Sequence, residues 1–224
     1  MTKSISATTT TTTTSRSGSA RLRARMILLA VAVALGAAAC HPSYTGPVGP
    51  KVAVIGDSIT NSSTTELGDE LAARHRFVSG IDGIDLADGH AQLVKPVAET
   101  KPQVVVVELG INSARESWDA ADLPDLEKVL ADLKATPCVI WVTPTALEAS
   151  YFDHLGDGTI ASRIALFQAS LKKRLPKYPN IHRADFGSVE LQHTEWFAPD
   201  RMHLNQEGQS AYAAYVADQI ATNC

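Results

Sequence analysis

From residue 51 onward, short runs of apolar residues alternate with longer segments in which apolar residues recur every three or four positions. The short runs are rich in β-branched residues and end at glycine, proline or polar residues, which is typical of buried strands. They predict five strands, at residues 52–55, 77–78, 104–107, 139–142 and 181–184. The longer segments predict helices at residues 66–75, 87–99, 123–135, 160–175 and 206–220, with Pro96 interrupting the second.

This alternation of strands and helices predicts an α/β fold. Strands that are apolar on both faces are typical of a parallel sheet with helices on each side, here a three-layer sandwich around a central five-stranded sheet. No repeat or internal linker divides residues 51–224, so we expect a single domain. Because ligands of open parallel sheets bind outside the carboxyl ends of the strands, we expect the functional residues at that edge.

The first 40 residues differ from the rest of the chain. They contain five basic residues and no acidic ones, include seven consecutive threonines, and finish with an apolar run at residues 26–39. A disordered extension, a basic cluster, a short apolar stretch and small residues at its end predict an export signal over residues 1–40. The apolar run is shorter than the roughly 20 residues that span a bilayer, which disfavours a transmembrane anchor.

The last residue of this segment suggests a lipid anchor. Ala37-Ala38-Ala39-Cys40 resembles the lipobox of bacterial lipoproteins, in which the cysteine is lipidated and becomes the new N-terminus. The alternative is ordinary cleavage after Ala39, since small residues at positions 37 and 39 also fit that rule. Lipidation of Cys40 would leave an even pair of cysteines, as suits an oxidising compartment. Residues 41–50, rich in proline and glycine, are predicted to be a linker.

The remaining pair, Cys138 and Cys224, is predicted to form a disulfide. Cys138 begins a strand at the edge of the sheet opposite the functional edge. The last helix runs antiparallel to the strands and finishes at that same edge, so the two cysteines lie on one side of the domain. A disulfide requires their Cα atoms to be within about 7 Å of each other.

Charge and composition narrow the class of protein further. The chain has 224 residues and a formal charge of −4, but residues 41–224 contain 15 basic and 24 acidic residues, a charge of −9. Such a domain lacks the basic face that nucleic acids require, so we expect no nucleic-acid partner. The 45% of hydrophobic residues exclude a polytopic membrane protein, and the 20% of charged residues argue against wholesale disorder.

One serine at a strand end is a candidate nucleophile. Gly56-Asp57-Ser58 follows the first strand directly, where Ser58 would lie in the crevice beside backbone N–H groups. A serine in this position is also an ordinary helix cap. A nucleophilic serine needs a base and a group that orients the base. His203 suits that role, because Asp200 precedes it by three residues in a turn before the last helix.

Acyl transfer also needs hydrogen-bond donors for an oxyanion. The N–H of Ser58 and the side-chain amide of Asn112 are candidates at two strand ends. Gly80 or Gly83, after the second strand, offers a further backbone N–H. Weaker candidates for substrate contact follow the fourth strand: Tyr151, Phe152 and His154.

These blocks occur in the order found in the SGNH, or GDSL-type, hydrolase family, which the chain resembles from about residue 52 to residue 212. The blocks are Gly56-Asp57-Ser58, a glycine after the second strand, Gly110-x-Asn112 and Asp200-x-x-His203. The resemblance implies a flavodoxin-like fold, with Ser58 as nucleophile, His203 as general base and Asp200 as the orienting acid. It also implies an oxyanion hole of Ser58, Asn112 and a glycine. Gly83 is preferred over Gly80, because residues 83–88 look more like the family's second block.

Two residues depart from the family pattern. Ser113 stands where the family often has aspartate, and Asp85 stands where it usually has threonine, which places an unexplained acid near the site. The Gly-x-Ser-x-Gly sequence of the α/β-hydrolases is absent around Ser58, which argues against that fold.

By this resemblance we expect a serine esterase that needs no metal or organic cofactor. The predicted export signal and lipobox add the expectation that it is exported and tethered to the membrane. A cell-envelope acyltransferase, which passes the acyl group to a sugar or lipid, would use the same residues. The third reading is a non-catalytic lipoprotein that binds carbohydrate or lipid, against which the intact set of Ser58, Asp200 and His203 argues. The expected partners are an ester of the cell envelope and, through the lipid anchor, the membrane.

Overall fold

The computed structural model describes residues 42–143 and 159–224, and a five-stranded parallel sheet forms its centre. The strand order is β2-β1-β3-β4-β5. The strands are β1 (Lys51–Gly56), β2 (His75–Gly80), β3 (Val104–Glu108), β4 (Cys138–Val142) and β5 (Ile181–Ala184). The predicted parallel sheet is confirmed, and each predicted strand lies within an observed one.

Helices follow every strand of the sheet. In chain order, the helices of the described residues are α1 (Ser58–Ser62), α2 (Thr64–Glu70), α3 (Leu86–Gly89), α4 (Lys95–Glu99), α5 (Ile111–Glu116), α6 (Leu123–Leu133), α7 (Thr159–Arg174), α8 (Phe186–Glu190) and α9 (Gln206–Asn223). The predicted helix at 66–75 is too long, because His75 pairs with Lys51 at the start of β2. The short helices α5 and α8 were not predicted, since one or two turns are too few to show a helical period.

The predicted interruption at Pro96 takes the form of a π-helical segment. This segment (His90–Val94) joins α3 to α4 without a gap, and Pro96 lies in the first turn of α4. Proline has no N–H to donate, and a wider turn before it lets the chain continue along one helical path.

Alternate residues along the strands belong to two separate hydrophobic cores, one on each face of the sheet. Val105 and Trp141 pack on one face against residues of α6 and α7. Val106 and Ile140 pack on the other face against residues of α2 and α9. The central strands β3 and β4 therefore bury both of their faces, which explains their continuous apolar runs in the sequence.

At the amino end of the sheet, opposite the functional edge, a disulfide and the segment before β1 are bound to the domain. Cys138 and Cys224 form the predicted disulfide, with Cα atoms 5.8 Å apart. Thr45, within the segment predicted as a linker, exchanges backbone hydrogen bonds of 2.7 and 2.8 Å with Arg76 of β2. The hydroxyl of Tyr44 lies 2.8 Å from the hydroxyl oxygen of Thr100. Part of the predicted linker is thus bound to the domain.

The predicted export signal at residues 1–40 and the candidate lipidation site Cys40 lie outside the described residues. Within residues 42–143 and 159–224, no helix is both long enough and apolar enough to cross a membrane.

Candidate active site

Ser58 is the first residue of α1 and lies at the carboxyl end of β1. The carboxylate of Asp57 caps this helix by accepting the N–H of Ile59 at 3.0 Å. Gly56 permits α1 to begin directly at the strand, because a Cβ there would lie 2.1 Å from Oγ1 of Thr60. The N–H of Ser58 is left without an acceptor in the described chain, as is usual at a helix start.

His203 joins Ser58 to Asp200 through both of its ring nitrogens. Its Nε2 lies 3.1 Å from Ser58 Oγ, and its Nδ1 lies 2.8 Å from Asp200 Oδ2. Asp200 Oδ1 accepts the N–H groups of Met202 and His203, both at 3.0 Å. Arg201 has a φ of 58°, in the left-handed region, and makes the turn tight enough for these contacts. The three predicted triad residues therefore form one hydrogen-bonded chain.

The surroundings of Asp200 determine its charge. Burial alone would raise the pKa of Asp200, but the hydrogen bonds from the His203 ring and from two backbone N–H groups outweigh it and lower the pKa to about 2. Asp200 is therefore an anion at any pH near neutral. An anionic acceptor favours the imidazole tautomer with its proton on Nδ1, which leaves Nε2 free to take the Ser58 proton.

The turn that carries His203 is held by the start of α9. Asn205 caps this helix by accepting the N–H of Gly208 at 3.0 Å, as its position before the helix predicts. The amide of Asn205 also donates to the carbonyl oxygen of Glu195 at 2.6 Å. Phe197 and Leu204 form an antiparallel bridge across the turn. These contacts fix the position of His203 relative to the sheet.

Asn112 is the second residue of α5, four residues after the end of β3, and its side chain is buried. Gly110, with a φ of 111°, starts α5; a Cβ there would lie 2.2 Å from the ring of Phe167. Asn112 Nδ2 donates to Asp57 Oδ2 at 3.1 Å and to the carbonyl oxygen of Ile84 at 3.2 Å. Both hydrogens of the amide are therefore engaged, one by the residue before Ser58 and the other by the loop after β2.

The geometry separates the two candidate glycines. Gly80 ends β2 opposite Gly56, and a Cβ there would lie 2.2 Å from the backbone nitrogen of Asn61, so Gly80 packs against α1. Gly83 lies in the loop beside Asn112, and its N–H donates no hydrogen bond within the described residues. This arrangement favours Gly83 as the third donor, a role that stays a prediction.

Both departures from the family pattern have a local structural role. Ser113 Oγ accepts the N–H of Leu86 at 2.8 Å and so ties α5 to the loop after β2. The Asp85 carboxylate caps α3 by accepting the N–H of Asp88 at 2.7 Å. The acid that sequence reasoning left unexplained is thus a helix cap.

Sequence reasoning missed Glu108, the last residue of β3, which is 1% exposed and contacts Asp57. An acid directly after four valines, at the edge where ligands bind, is the signal that could have found it. Tyr151, Phe152 and His154 lie outside the described residues. Within the described chain, no three histidine, cysteine or acidic side chains come together as a metal site would need.

A small cavity of about 30 Å³ lies beside Ser58. Its apolar lining includes Ile111, Val142, Phe186 and Met202. This volume holds about two water-sized groups. The site is therefore a narrow pocket next to a hydrogen-bonded serine.

Three solved structures of bacterial proteins illustrate the similarity in fold. A lipase/acylhydrolase of Enterococcus faecalis has 21% identity and a TM-score of 0.63, over 78% of this chain and 96% of its own. An acetyl xylan esterase of Geobacillus stearothermophilus has 19% identity and a TM-score of 0.62, over 80% and 98%. The catalytic domain of a peptidoglycan O-acetyltransferase of Streptococcus pneumoniae has 22% identity and a TM-score of 0.58, over 79% and 93%. At these identities the likeness establishes the fold.

The sequence comparison establishes the family. No curated protein matches the chain. The model of the GDSL-like lipase/acylhydrolase family matches residues 54–211, a span that contains Ser58, Asn112, Asp200 and His203. This chain therefore belongs to the GDSL-like lipase/acylhydrolase family and is a hydrolase of ester bonds.

Proposed function

We propose that this hydrolase is a serine esterase that removes short acyl groups from carbohydrates of the cell envelope. The observation that carries the proposal is the continuous chain of hydrogen bonds from Ser58 Oγ through His203 to Asp200. A serine hydroxyl is a weak nucleophile until a base takes its proton. His203, oriented by the Asp200 anion, is that base.

In the first half of the reaction, Ser58 Oγ attacks the ester carbonyl carbon while its proton passes to His203 Nε2. The carbonyl oxygen becomes an oxyanion, stabilised by the N–H groups of Ser58 and Gly83 and by the Asn112 amide. The Asn112 amide hydrogen that is donated to the carbonyl oxygen of Ile84 in the free enzyme reaches the oxyanion by a small rotation of the amide. The intermediate then collapses: the bond to the alcohol breaks, and the alcohol leaves with the proton from His203.

In the second half, a water molecule attacks the acyl group on Ser58 and gives its proton to His203 Nε2. The bond to Ser58 Oγ breaks, the serine takes the proton back, and the carboxylic acid is released. The Asp200 anion stabilises the protonated imidazole in both halves. No other reactant is required.

The cavity beside Ser58 supports a short acyl group. Room for about two water-sized groups suits an acetyl group, whereas a longer chain would meet the side chains of Val142 and Phe186. The acids Asp57, Glu108 and Glu190 and the base Arg115 also line the cavity.

Two of the similar structures support a carbohydrate as the alcohol part. One is an acetyl xylan esterase and the other a peptidoglycan O-acetyltransferase, so both handle acetyl groups on polysaccharides. The net charge of −9 over residues 41–224 is compatible with a neutral sugar and would repel a polyanion. We therefore propose O-acetylated sugars as the substrates.

Chain length and alcohol can be tested together. We expect kcat/KM to fall at least tenfold from p-nitrophenyl acetate to the butyrate, because the longer chain does not fit beside Ser58. We also expect release of acetate from O-acetylated peptidoglycan or acetylated xylo-oligosaccharide, measured against a deacetylated control polymer. Equal rates from acetate to octanoate would contradict the proposal on acyl size.

An acyltransferase is the second candidate, because the similar acetyltransferase domain shares this fold. Transfer and hydrolysis differ only in whether a sugar hydroxyl or water attacks the acyl-serine. Mass spectrometry of the products with an acceptor oligosaccharide separates them: acetylated sugar indicates transfer, whereas acetate alone indicates hydrolysis.

We propose export and lipid anchoring at Cys40 for the cellular location. Residues 44 and 45 are held at the amino end of the sheet, only a few residues after Cys40, whereas Ser58 lies at the carboxyl end. An anchor at Cys40 would therefore turn the active site away from the bilayer. This orientation supports a substrate in the wall or envelope polymer.

Replacing Cys40 with serine should move the protein from the membrane fraction to the soluble fraction, since it removes the lipidated sulfur. Fractionation and incorporation of labelled palmitate measure this change. If the wild-type protein takes up no palmitate and is found in the same fraction as Cys40→Ser, the result would instead indicate ordinary cleavage after Ala39.

A further inference from the structure

Two carboxyl groups are buried together directly behind the proposed oxyanion hole. Asp57 and Glu108 are 0% and 1% exposed. They lie side by side because Gly56, the residue before Asp57, pairs with Glu108 of β3. The backbone N–H of Asp57 donates to Glu108 Oε2 at 3.2 Å, so the two residues are in direct contact. Two buried carboxylates repel strongly and cannot donate to each other, so the pair needs a proton.

The hydrogen bonds around the pair differ between the two residues. Both oxygens of Asp57 accept from fixed donors, Oδ1 from the Ile59 N–H and Oδ2 from the Asn112 amide. Glu108 Oε2 accepts two donors, the Asp57 N–H at 3.2 Å and the Thr60 hydroxyl at 3.3 Å. Glu108 Oε1 has no donor within the described chain. Oε1 is therefore the one oxygen of the pair that can carry a proton without the loss of any of these hydrogen bonds.

The other charged and titratable groups agree with this placement. Burial, followed by the charge of Asp57, raises the pKa of Glu108 well above its usual range. Burial also raises the pKa of Asp57, to about 6. Hydrogen bonds from Glu108 and from the Ile59 N–H, and then the charges of His203 and Arg115, oppose that rise and favour the Asp57 anion. The hydroxyl of Tyr212 lies 3.2 Å from the hydroxyl oxygen of Thr60, which in turn donates to Glu108. Burial raises the pKa of Tyr212 well above its usual value, so this hydroxyl keeps its proton.

We propose that Glu108 is a positioning residue, whose proton fixes Asp57 as the acceptor that orients the Asn112 amide and the start of α1. This inference rests on the proposed role of Asn112 in the oxyanion hole. Glu108 touches no reacting atom, and it acts only through Asp57. Its effect is therefore expected in kcat, because oxyanion donors act on the transition state more than on the bound substrate.

Isosteric variants test which carboxyl carries the proton. Glu108→Leu removes both donor and acceptor and should lower kcat about 100-fold, with KM changed less than threefold. Glu108→Gln should restore most of this loss, since its amide donates to Asp57 and its oxygen accepts the two donors of Oε2. Asp57→Asn should lower kcat about 100-fold, because its new amide would face the donor of Ile59 or of Asn112.

Two further readouts separate positioning from general destabilisation. Wild-type activity should fall on the alkaline side when the shared proton is lost, and Glu108→Gln should move that fall to higher pH. The infrared band of a protonated carboxyl group should be present in the wild type at neutral pH and absent from Glu108→Gln. Glu116→Gln makes the same chemical change at an exposed position and should leave activity and the infrared band unchanged.

The pair also predicts a pH dependence of stability. Burial raises the pKa of both acids above the value of about 4 that a carboxyl group has in an unfolded chain. Their contribution to stability is then fully present below about pH 4 and is lost as the pH rises through the folded-state values. The free energy of unfolding should therefore fall less between pH 4 and pH 9 in Glu108→Gln than in the wild type.

Several outcomes would overturn the proposal. Asp57→Asn retaining as much kcat as Glu108→Gln would place the proton on Asp57. An unchanged alkaline profile together with an unchanged infrared band in Glu108→Gln would exclude a shared proton. The infrared and unfolding measurements do not depend on catalysis, so a failure of the proposed esterase function is distinguishable from a failure of this inference.

Discussion

Replacing Ser58 with alanine is expected to lower kcat for p-nitrophenyl acetate by about 10⁴-fold or more. Removing the nucleophile of a serine hydrolase leaves only the contribution of substrate binding and of the oxyanion donors. The side chain of Ser58 is half-buried and caps no helix, so the fold should be unaffected. The measurement is steady-state kinetics, with circular dichroism to confirm the fold.

The same helix offers a matched control. Ser62 lies four residues further along α1, is exposed and donates only to the carbonyl oxygen of Ile59. Ser62→Ala should keep wild-type kinetics and should be labelled by a fluorophosphonate probe, whereas Ser58→Ala should not be labelled. Labelling of Ser58→Ala, or activity within tenfold of the wild type, would rule out Ser58 as the nucleophile.

Removing the disulfide should produce the largest loss of stability. The double change of Cys138 and Cys224 to alanine opens a crosslink between residues 86 positions apart. A loop of that length predicts a loss of about 4 kcal/mol, which corresponds to a fall of roughly 10 °C in Tm for a domain of this size. Calorimetry of the wild type and of the double variant measures the change.

Activity provides the contrast for this second prediction. The disulfide lies at the amino end of β4, at the sheet edge opposite Ser58, so kcat at low temperature should change less than threefold. A reductant should lower the Tm of the wild type to that of the double variant and should leave the double variant unchanged. Equal melting temperatures in oxidised wild type and double variant would contradict the prediction.

The sequence was sufficient to predict the sheet and the residues at its functional edge. Runs such as 104–107 are apolar at every position because both faces of the sheet are covered, a pattern that is typical of buried parallel strands. Ser58, Asn112 and His203 were found because each follows a strand or precedes the last helix. The predicted disulfide needed only the direction of the chain at two points.

Other features of the site could not be predicted, because they depend on contacts between distant segments. The bond from Leu86 to Ser113 joins residues 27 positions apart, and the packing of Gly80 against α1 depends on the register of β1 and β2. Glu108 ends an apolar strand, and its partner Asp57 is 51 positions away.

For this protein, the sequence alone determined the α/β class, the parallel sheet, the family and the set of candidate catalytic residues. These follow from local periodicity and from residue types at strand ends, which are properties of short segments. The tertiary structure alone decided that Ser58, His203 and Asp200 are in contact. It also decided that Asn112 donates to Asp57 and that Asp57 is buried beside Glu108. Hydrogen bonds and desolvation depend on distances of a few ångströms between segments far apart in the chain, and no pattern within one segment encodes them.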